Sequence, residues 1–159
     1  MKFKLVGELI LSNEISNLNL DEFFQEVQQT FRRGVPKDAE EPKILSYKIK
    51  GNIIEVSITS GRFVRAPTVL LRLKKMLAQY LQKNFRIGVR KIKITRCEVE
   101  LETKLRLVKL PYVKDIVYEN QKTKIIFENL EEQQVEDNII DKVLKLIIEK
   151  EKREKYKGK

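Results

Sequence analysis

Two stretches in which apolar and polar residues alternate, 44–50 and 53–59, flank the pair Gly51-Asn52. Alternation with a period of two is typical of a strand with one buried face. A Gly-Asn pair readily adopts the positive φ angles of a tight turn between two such strands. The pattern therefore predicts an antiparallel β-hairpin, which restricts the chain to folds that contain an antiparallel sheet.

Further alternating segments predict more strands. A first strand is expected at about 2–11, and a long one at 91–102. In the long strand the apolar positions change from even to odd numbers near Arg96-Cys97, and a β-bulge produces such a one-residue slip. The remaining predicted strands are one around Leu105 and Leu107 that ends at Pro111, and a second hairpin formed by 116–119 and 124–128.

Helical periodicity recurs in three segments. The first helix is expected to start near Asn19 and to end at Gly34. The second starts at Pro67, whose fixed φ suits a first helical turn, and runs to about Lys83. Asn129 is expected to cap the third. The apolar positions that define the first and third helices are Phe23, Phe24, Val27 and Phe31, and Val135, Ile139, Val143, Leu146 and Ile147.

The chain of 159 residues has the length of one domain. Its elements predict a single α+β domain over residues 1–159, with a mainly antiparallel sheet covered by about three helices and a frayed tail at 150–159. The sequence has no histidine and one cysteine, Cys97, which is expected to be an inert buried thiol. These counts exclude Ser-His-Asp and Cys-His catalysis, histidine-containing zinc sites and an internal disulfide, and they favour a reducing cytoplasm.

Two groups of carboxylates are candidates for weak metal binding, and each has a simpler interpretation. Glu98, Glu100 and Glu102 share one strand face, where they are expected to pair with nearby lysines. The second group lies near the start of the last helix, where the helix dipole favours acids; it comprises Glu131, Glu132, Glu136 and Asp137. We therefore predict no catalytic residue, no metal site and no cofactor.

The positive charge is concentrated in one quarter of the chain. Lys and Arg number 33 against 23 Asp and Glu, a net charge of +10. No acid occurs from Ser57 through Cys97, and the other 22 basic residues nearly balance the 23 acids. A field of one sign indicates a polyanionic partner, RNA or DNA ahead of a membrane. The eleven basic residues of this segment are Arg62, Arg65, Arg72, Lys74, Lys75, Lys83, Arg86, Arg90, Lys91, Lys93 and Arg96.

The second predicted helix collects much of this charge on one side. At 100° per residue its polar positions share one sector, opposite an apolar sector. Arg72 and Lys75 are neighbours one turn apart, and Lys83 lies about 16 Å from Arg72 at about 1.5 Å per residue. Two loops add further cations before and after the helix. The predicted RNA contacts are Arg62, Arg65, Arg72, Lys75, Lys83, Arg86, Arg90 and Lys91.

Two other interpretations of this segment stay open. The basic helix is also consistent with an ordinary solvated amphipathic helix, or with a protein-interaction module whose basic face docks on a synthetase or a ribosomal component. Phe63, Tyr80 and Phe85 are either stacking platforms for unpaired bases, Phe63 being the best candidate, or core residues.

The segments SGRFVR (60–65), LLRLKK (70–75) and FRIGVR (85–90) occur in this order, followed by KLPYVK (109–114). They resemble the N-terminal domain of the archaeal, methanogenic-type seryl-tRNA synthetase, and the resemblance covers nearly the whole chain. It implies a six-stranded antiparallel sheet capped by helices that binds the long variable arm of serine tRNA.

By motif position, the resemblance implies that Arg72, Lys75 and Arg90 carry the tRNA contacts, with Arg62 and Arg65 as weaker candidates. A class II catalytic half with its zinc site does not fit within this sequence, so aminoacylation by this chain is excluded. The chain is then an excised domain or a stand-alone relative, with tRNA as its partner and a synthetase catalytic subunit as a second candidate partner.

Overall fold

The computed structural model describes the backbone of residues 1–15, 17–102 and 110–157, and the side chains of these ranges through residue 150. This part of the chain contains six strands and four helices. In chain order they are β1 (Lys2–Leu11), α1 (Asp21–Arg33), β2 (Lys43–Lys50), β3 (Ile53–Ser60), α2 (Ala66–Phe85), β4 (Val89–Leu101), β5 (Asp115–Glu119), β6 (Lys122–Glu131), α3 (Glu132–Glu136) and α4 (Ile139–Lys157).

The strands form one antiparallel sheet in the order β2-β3-β1-β4-β6-β5. The helices pack on one face of it: α1 beside β2, α2 across β3, β1 and β4, α3 against β4 and β6, and α4 against α3. Odd-numbered residues of β1 are buried beneath this layer, while its even-numbered residues project from the other face. The α+β class and the six-stranded antiparallel sheet are confirmed, with four helices where about three were expected.

Both predicted hairpins are present. Gly51 in the first turn has a φ of 60°, a conformation that glycine adopts without steric cost. The second hairpin joins β5 to β6 through Asn120 and Gln121, whose φ angles of 51° and 65° are also positive. A positive φ at the first turn residue, as at Gly51, or at both, as at Asn120 and Gln121, matches the twist of antiparallel strands, which explains why such short connections suffice.

The predicted bulge in the long strand is confirmed, at Thr95. Ile94 lies opposite Gly7 while Arg96 lies opposite Val6, which leaves Thr95 without a partner in β1. The Thr95 hydroxyl donates a 2.9 Å hydrogen bond to the Val6 carbonyl. The extra residue shifts the inward positions from Ile92 and Ile94 to Cys97 and Val99, so both halves of β4 keep an apolar face toward the helices.

The prediction that Asn129 caps the last helix is wrong. Asn129 lies inside β6 with a φ of 54°, and Asn138 has the same φ between α3 and α4. Asparagine tolerates this left-handed conformation better than most residues. Asn129 thus stays within a strand, whereas Asn138 separates α3 from α4, and its carbonyl accepts a 3.0 Å hydrogen bond from the Lys142 N–H at the start of α4. The Gln134 side chain instead accepts a 3.0 Å hydrogen bond from the Glu131 N–H at the start of α3. The single predicted helix is therefore two helices.

The strand predicted around Leu105 and Leu107 lies outside the described residues. Cys97 is fully buried, as predicted, and burial raises the pKa of its thiol. Among the described helices, none combines the length and the apolar character needed to span a bilayer.

Candidate nucleic-acid interface

Helix α2 has the two faces that its sequence predicts. Five residues at helical spacing are fully buried against the sheet: Val69, Leu70, Leu73, Leu77 and Leu81. The contact is close, because a Cβ added at Gly7 in β1 would lie 3.0 Å from Leu70 Cδ2. On the outer side Arg72, Lys75 and Lys83 are exposed. Burial of the leucine face thus fixes the direction in which these cations project.

Three of the eleven basic residues between Ser57 and Cys97 form ion pairs with acids in the described part of the chain. The Arg65 guanidinium lies 2.5 Å from the Asp141 carboxylate and 5.9 Å from the centre of the Phe3 ring. Lys74 pairs with Glu132 of α3. Arg96 pairs with Glu98 and with Glu128, at 2.9 and 3.0 Å.

Of these acids, only Glu98 is close in sequence to its basic partner. Glu128, Glu132 and Asp141 belong to distant segments of the chain, which the fold places next to their partners. Of the eight residues predicted to contact RNA, the structure thus gives Arg65 an internal role at the start of α2. The other seven form no ion pair with a described acid.

The loop after α2 is held against the end of β1. Arg86 ends the helix with a φ of 54°, and its N–H donates to the Gln82 carbonyl at 3.2 Å. The Gly88 N–H donates to the Ser12 hydroxyl at 3.0 Å, and the Ser12 N–H donates to the Gly88 carbonyl at 2.9 Å. These bonds fix the loop and place the exposed Arg86 at the end of the cationic side of α2. The role of Ser12 in holding this loop was not predicted from sequence, where only its position directly after the first strand sets it apart.

The structure does not bring all the predicted cations to one face. Lys91 lies opposite Ile10, an outward position of β1, so its side chain projects from the sheet face that the helices leave uncovered. Arg90 is exposed at the register irregularity between Val89 and Lys91. We therefore define the α2 surface by the exposed cations of the helix and of its two flanking loops: Arg62, Arg72, Lys75, Lys83 and Arg86.

The uncovered face of the sheet carries ion pairs as well as Lys91, which pairs with no described acid. Lys122 lies 3.0 Å from Glu100, and Lys124 lies 3.3 Å from Glu119. The hydrogen bond from Lys122 lowers the pKa of the Glu100 carboxyl. The predicted pairing of strand carboxylates with lysine is confirmed for Glu100. Within the described ranges no three potential metal ligands lie together.

A cleft of about 230 Å³ lies between the end of α1 and the outer side of α2. Phe31, Val64 and Met76 supply its apolar walls, while Arg72 and Lys75 also line it. Sequence reasoning missed this cleft because its walls come from three separate segments. The arrangement joins an apolar depression to two cations of the α2 surface.

The three aromatic candidates differ in exposure. Phe63 is 65% exposed and Phe85 is 44% exposed, so each presents ring surface to solvent. Tyr80 is half-buried, with ring centres 4.9 Å from Phe23 and 6.2 Å from Phe85. Tyr80 therefore contributes to packing between α1 and α2, and Phe63 keeps the geometry that stacking on a base requires.

Comparison with known proteins identifies relatives of this fold. The type-2 serine–tRNA ligase of Methanocaldococcus jannaschii is 37% identical over 158 aligned positions, covering 92% of this chain and 30% of that enzyme. The corresponding ligase of Methanothermobacter thermautotrophicus is 36% identical over 91% of this chain and again 30% of the enzyme. The chain thus spans about a third of the length of these relatives.

A solved structure shows the same architecture. The seryl-tRNA synthetase of M. kandleri, crystallised in complex with A. aeolicus tRNASec, matches with a TM-score of 0.79 at 31% identity, over 92% of this chain and 30% of that one. A family model described as a tRNA-binding domain matches residues 1–149. These matches favour the tRNA-binding interpretation of the basic segment over the protein-docking one. The chain belongs to this family of tRNA-binding domains, homologous to the tRNA-binding part of archaeal type-2 seryl-tRNA synthetases.

Proposed function

We propose that this chain binds tRNA through the α2 surface and catalyses no reaction itself. The observation that carries the proposal is the set of five exposed cations on one helix and its flanking loops, none of them paired with a described acid. Phosphate groups are the nucleic-acid component that such cations bind, and they supply most of the affinity of a basic protein for RNA. Arg62, Arg72 and Arg86 can in addition contact phosphate through two parallel hydrogen bonds.

The geometry of the α2 surface suits the backbone of an RNA duplex. Arg72 and Lys83 are separated by about 16 Å along the helix axis, enough to reach several successive phosphates. The major groove of A-form RNA is too deep and narrow for side chains to read, so proteins recognise duplex RNA by its backbone and shape. A row of cations on a rigid helix provides that kind of recognition.

The proposed ligand is a serine tRNA, held by its long variable arm. Support comes from the similarity to serine–tRNA ligases and to a synthetase crystallised with tRNASec. In this proposal the chain binds the tRNA, and a synthetase catalytic part carries out the aminoacylation. Both act in the cytoplasm. Arg90 and Lys91, which lie outside the α2 surface, are assigned a secondary role at the edge of the contact.

The test compares three RNAs: a serine tRNA, the same tRNA without its long arm, and a tRNA with a short variable arm. Affinities are measured by filter binding at one salt concentration. We expect the serine tRNA to bind at least tenfold more tightly than the other two. Equal affinities for all three would contradict recognition of the arm, and no binding would contradict the proposed function itself.

A further inference from the structure

The cleft between α1 and α2 combines apolar walls with two cations. Its walls are apolar, formed by Phe31, Val64 and Met76, while Arg72 and Lys75 line it as well and form no ion pair with a described acid. An occupant that matches both carries an apolar group next to an anion. A nucleotide has this composition, since its base has two apolar faces and its phosphate a negative charge.

The polar groups of the cleft indicate how such a base would be recognised. The Thr30 hydroxyl also lines the cleft, but it donates a 3.0 Å hydrogen bond to the Glu26 carbonyl of its own helix. The walls therefore offer packing contacts to the faces of a base, with the two cations placed for its phosphates. Contact of this kind tolerates all four bases, because every base has a π-face. Only an unpaired nucleotide can enter, since a base in a duplex has both faces stacked.

The neighbouring chain segment supports the same occupant. Val64 in the wall is preceded directly by Phe63, whose side chain is 65% exposed, and by the exposed Arg62. An exposed aromatic ring and a guanidinium at the same end of α2 add a stacking surface and a further phosphate contact.

We propose that this cleft holds the base of one unpaired nucleotide of the bound RNA, with the flanking phosphates on Arg72 and Lys75. The inference rests on the proposed function, because it takes the α2 surface to be the RNA-binding surface. It adds to that function a site that engages an extruded nucleotide rather than the duplex backbone.

Gly34 offers a way to fill the cleft without disturbing the core. It lines the cleft, its φ of −87° suits any residue, and a Cβ there would have only the Phe31 carbonyl oxygen within 4 Å, at 3.9 Å. The substitution Gly34→Leu therefore adds a side chain in open space. Gly34→Ala controls for the backbone, and Gln25→Leu places the same apolar side chain at an exposed position within α1.

The experiment measures the affinity of serine tRNA for the full chain and each variant as a function of salt. We expect Gly34→Leu to weaken binding about tenfold, the effect of losing one stacked base. The dependence of affinity on salt should stay that of the wild type, because no phosphate contact is removed. Both control variants should bind as the wild type does, and thermal unfolding followed by circular dichroism verifies that every variant is folded.

A second measurement uses three RNA hairpins: fully paired, with one bulged nucleotide, and with an abasic residue in the bulge. The wild type should bind the intact bulge about tenfold more tightly than the abasic one, and Gly34→Leu should abolish that preference. Equal wild-type affinity for intact and abasic bulges, or unchanged tRNA binding by Gly34→Leu, would overturn the inference while leaving the proposed function intact. Failure of the wild type to bind any RNA would overturn both.

Discussion

The double substitution Arg72→Ala and Lys75→Ala should reduce the salt dependence of tRNA binding in a calculable way. The α2 surface has five exposed cations without a described acidic partner. If each neutralises one phosphate, the logarithm of the affinity should fall with the logarithm of the salt concentration at a slope of about −4.5. Between about 50 and 200 mM salt the wild type should then lose about 500-fold in affinity. With three cations left, the slope should be about −2.7 and the loss about 40-fold.

Fluorescence anisotropy with a labelled serine tRNA at four salt concentrations gives both slopes. The matched control is Lys2→Ala with Lys4→Ala, which removes the same charge from exposed positions of β1 on the uncovered sheet face. This control should keep the wild-type slope. A wild-type slope for the Arg72 and Lys75 double variant, or an equal reduction by the Lys2 and Lys4 control, would refute the assignment of the RNA to the α2 surface.

Two further substitutions and a labelling experiment test the scaffold. Arg65→Ala should lower the free energy of unfolding by about 1.5–3 kcal/mol in urea titrations, because it breaks the charged hydrogen bond to Asp141. It should change the salt slope of tRNA binding by less than Arg72→Ala does. Gly7→Ala should destabilise the chain by about 1–3 kcal/mol by overpacking against Leu70, and a stability equal to wild type would contradict the close packing of α2 on β1. Cys97 should react with a thiol reagent only after unfolding, and rapid labelling of the native protein would contradict its burial.

A further prediction concerns pH. The pKa of the Glu100 carboxyl is lowered in the folded state by Lys122, so this pair stabilises the fold above the ordinary carboxyl pKa of about 4.3. That contribution is lost as pH falls through the lowered folded-state pKa. Glu100→Gln should therefore be less stable than wild type at neutral pH, and the difference should disappear at strongly acidic pH. Equal stabilities of the two proteins at neutral pH, measured by urea titration, would contradict the pairing.

The local elements could be predicted from sequence because their signals are local. Both faces of α2 follow from its periodicity, and the hairpin follows from the alternation around Gly51-Asn52. The apolar periodicity from Val135 to Ile147 predicts one helix, whereas Asn138 adopts a left-handed conformation that separates α3 from α4. Single-residue conformations of this kind depend on the tertiary contacts on either side.

The ion-pair partners of the basic residues could not be predicted from sequence, because they depend on the tertiary structure. Arg65 and Arg72 are indistinguishable in sequence, both basic and both in the acid-free segment, yet Asp141 neutralises only Arg65. The partner is 76 residues away, so no pattern near α2 points to it. The cleft has the same origin, because α1, α2 and the preceding loop each supply part of its wall. The sequence thus predicts how many cations are present, and the tertiary structure determines which of them are free.

One side of helix α2 packs in the core and the other side carries cations. These two roles limit the insertions and deletions that the helix can tolerate. Each inserted or deleted residue would rotate everything beyond it by about 100° around the axis. A change between Arg72 and Lys83 would swing the later leucines out of the core and the later cations into it. Folding and tRNA recognition would fail together, so variation in length among relatives should be confined to the connections outside this helix.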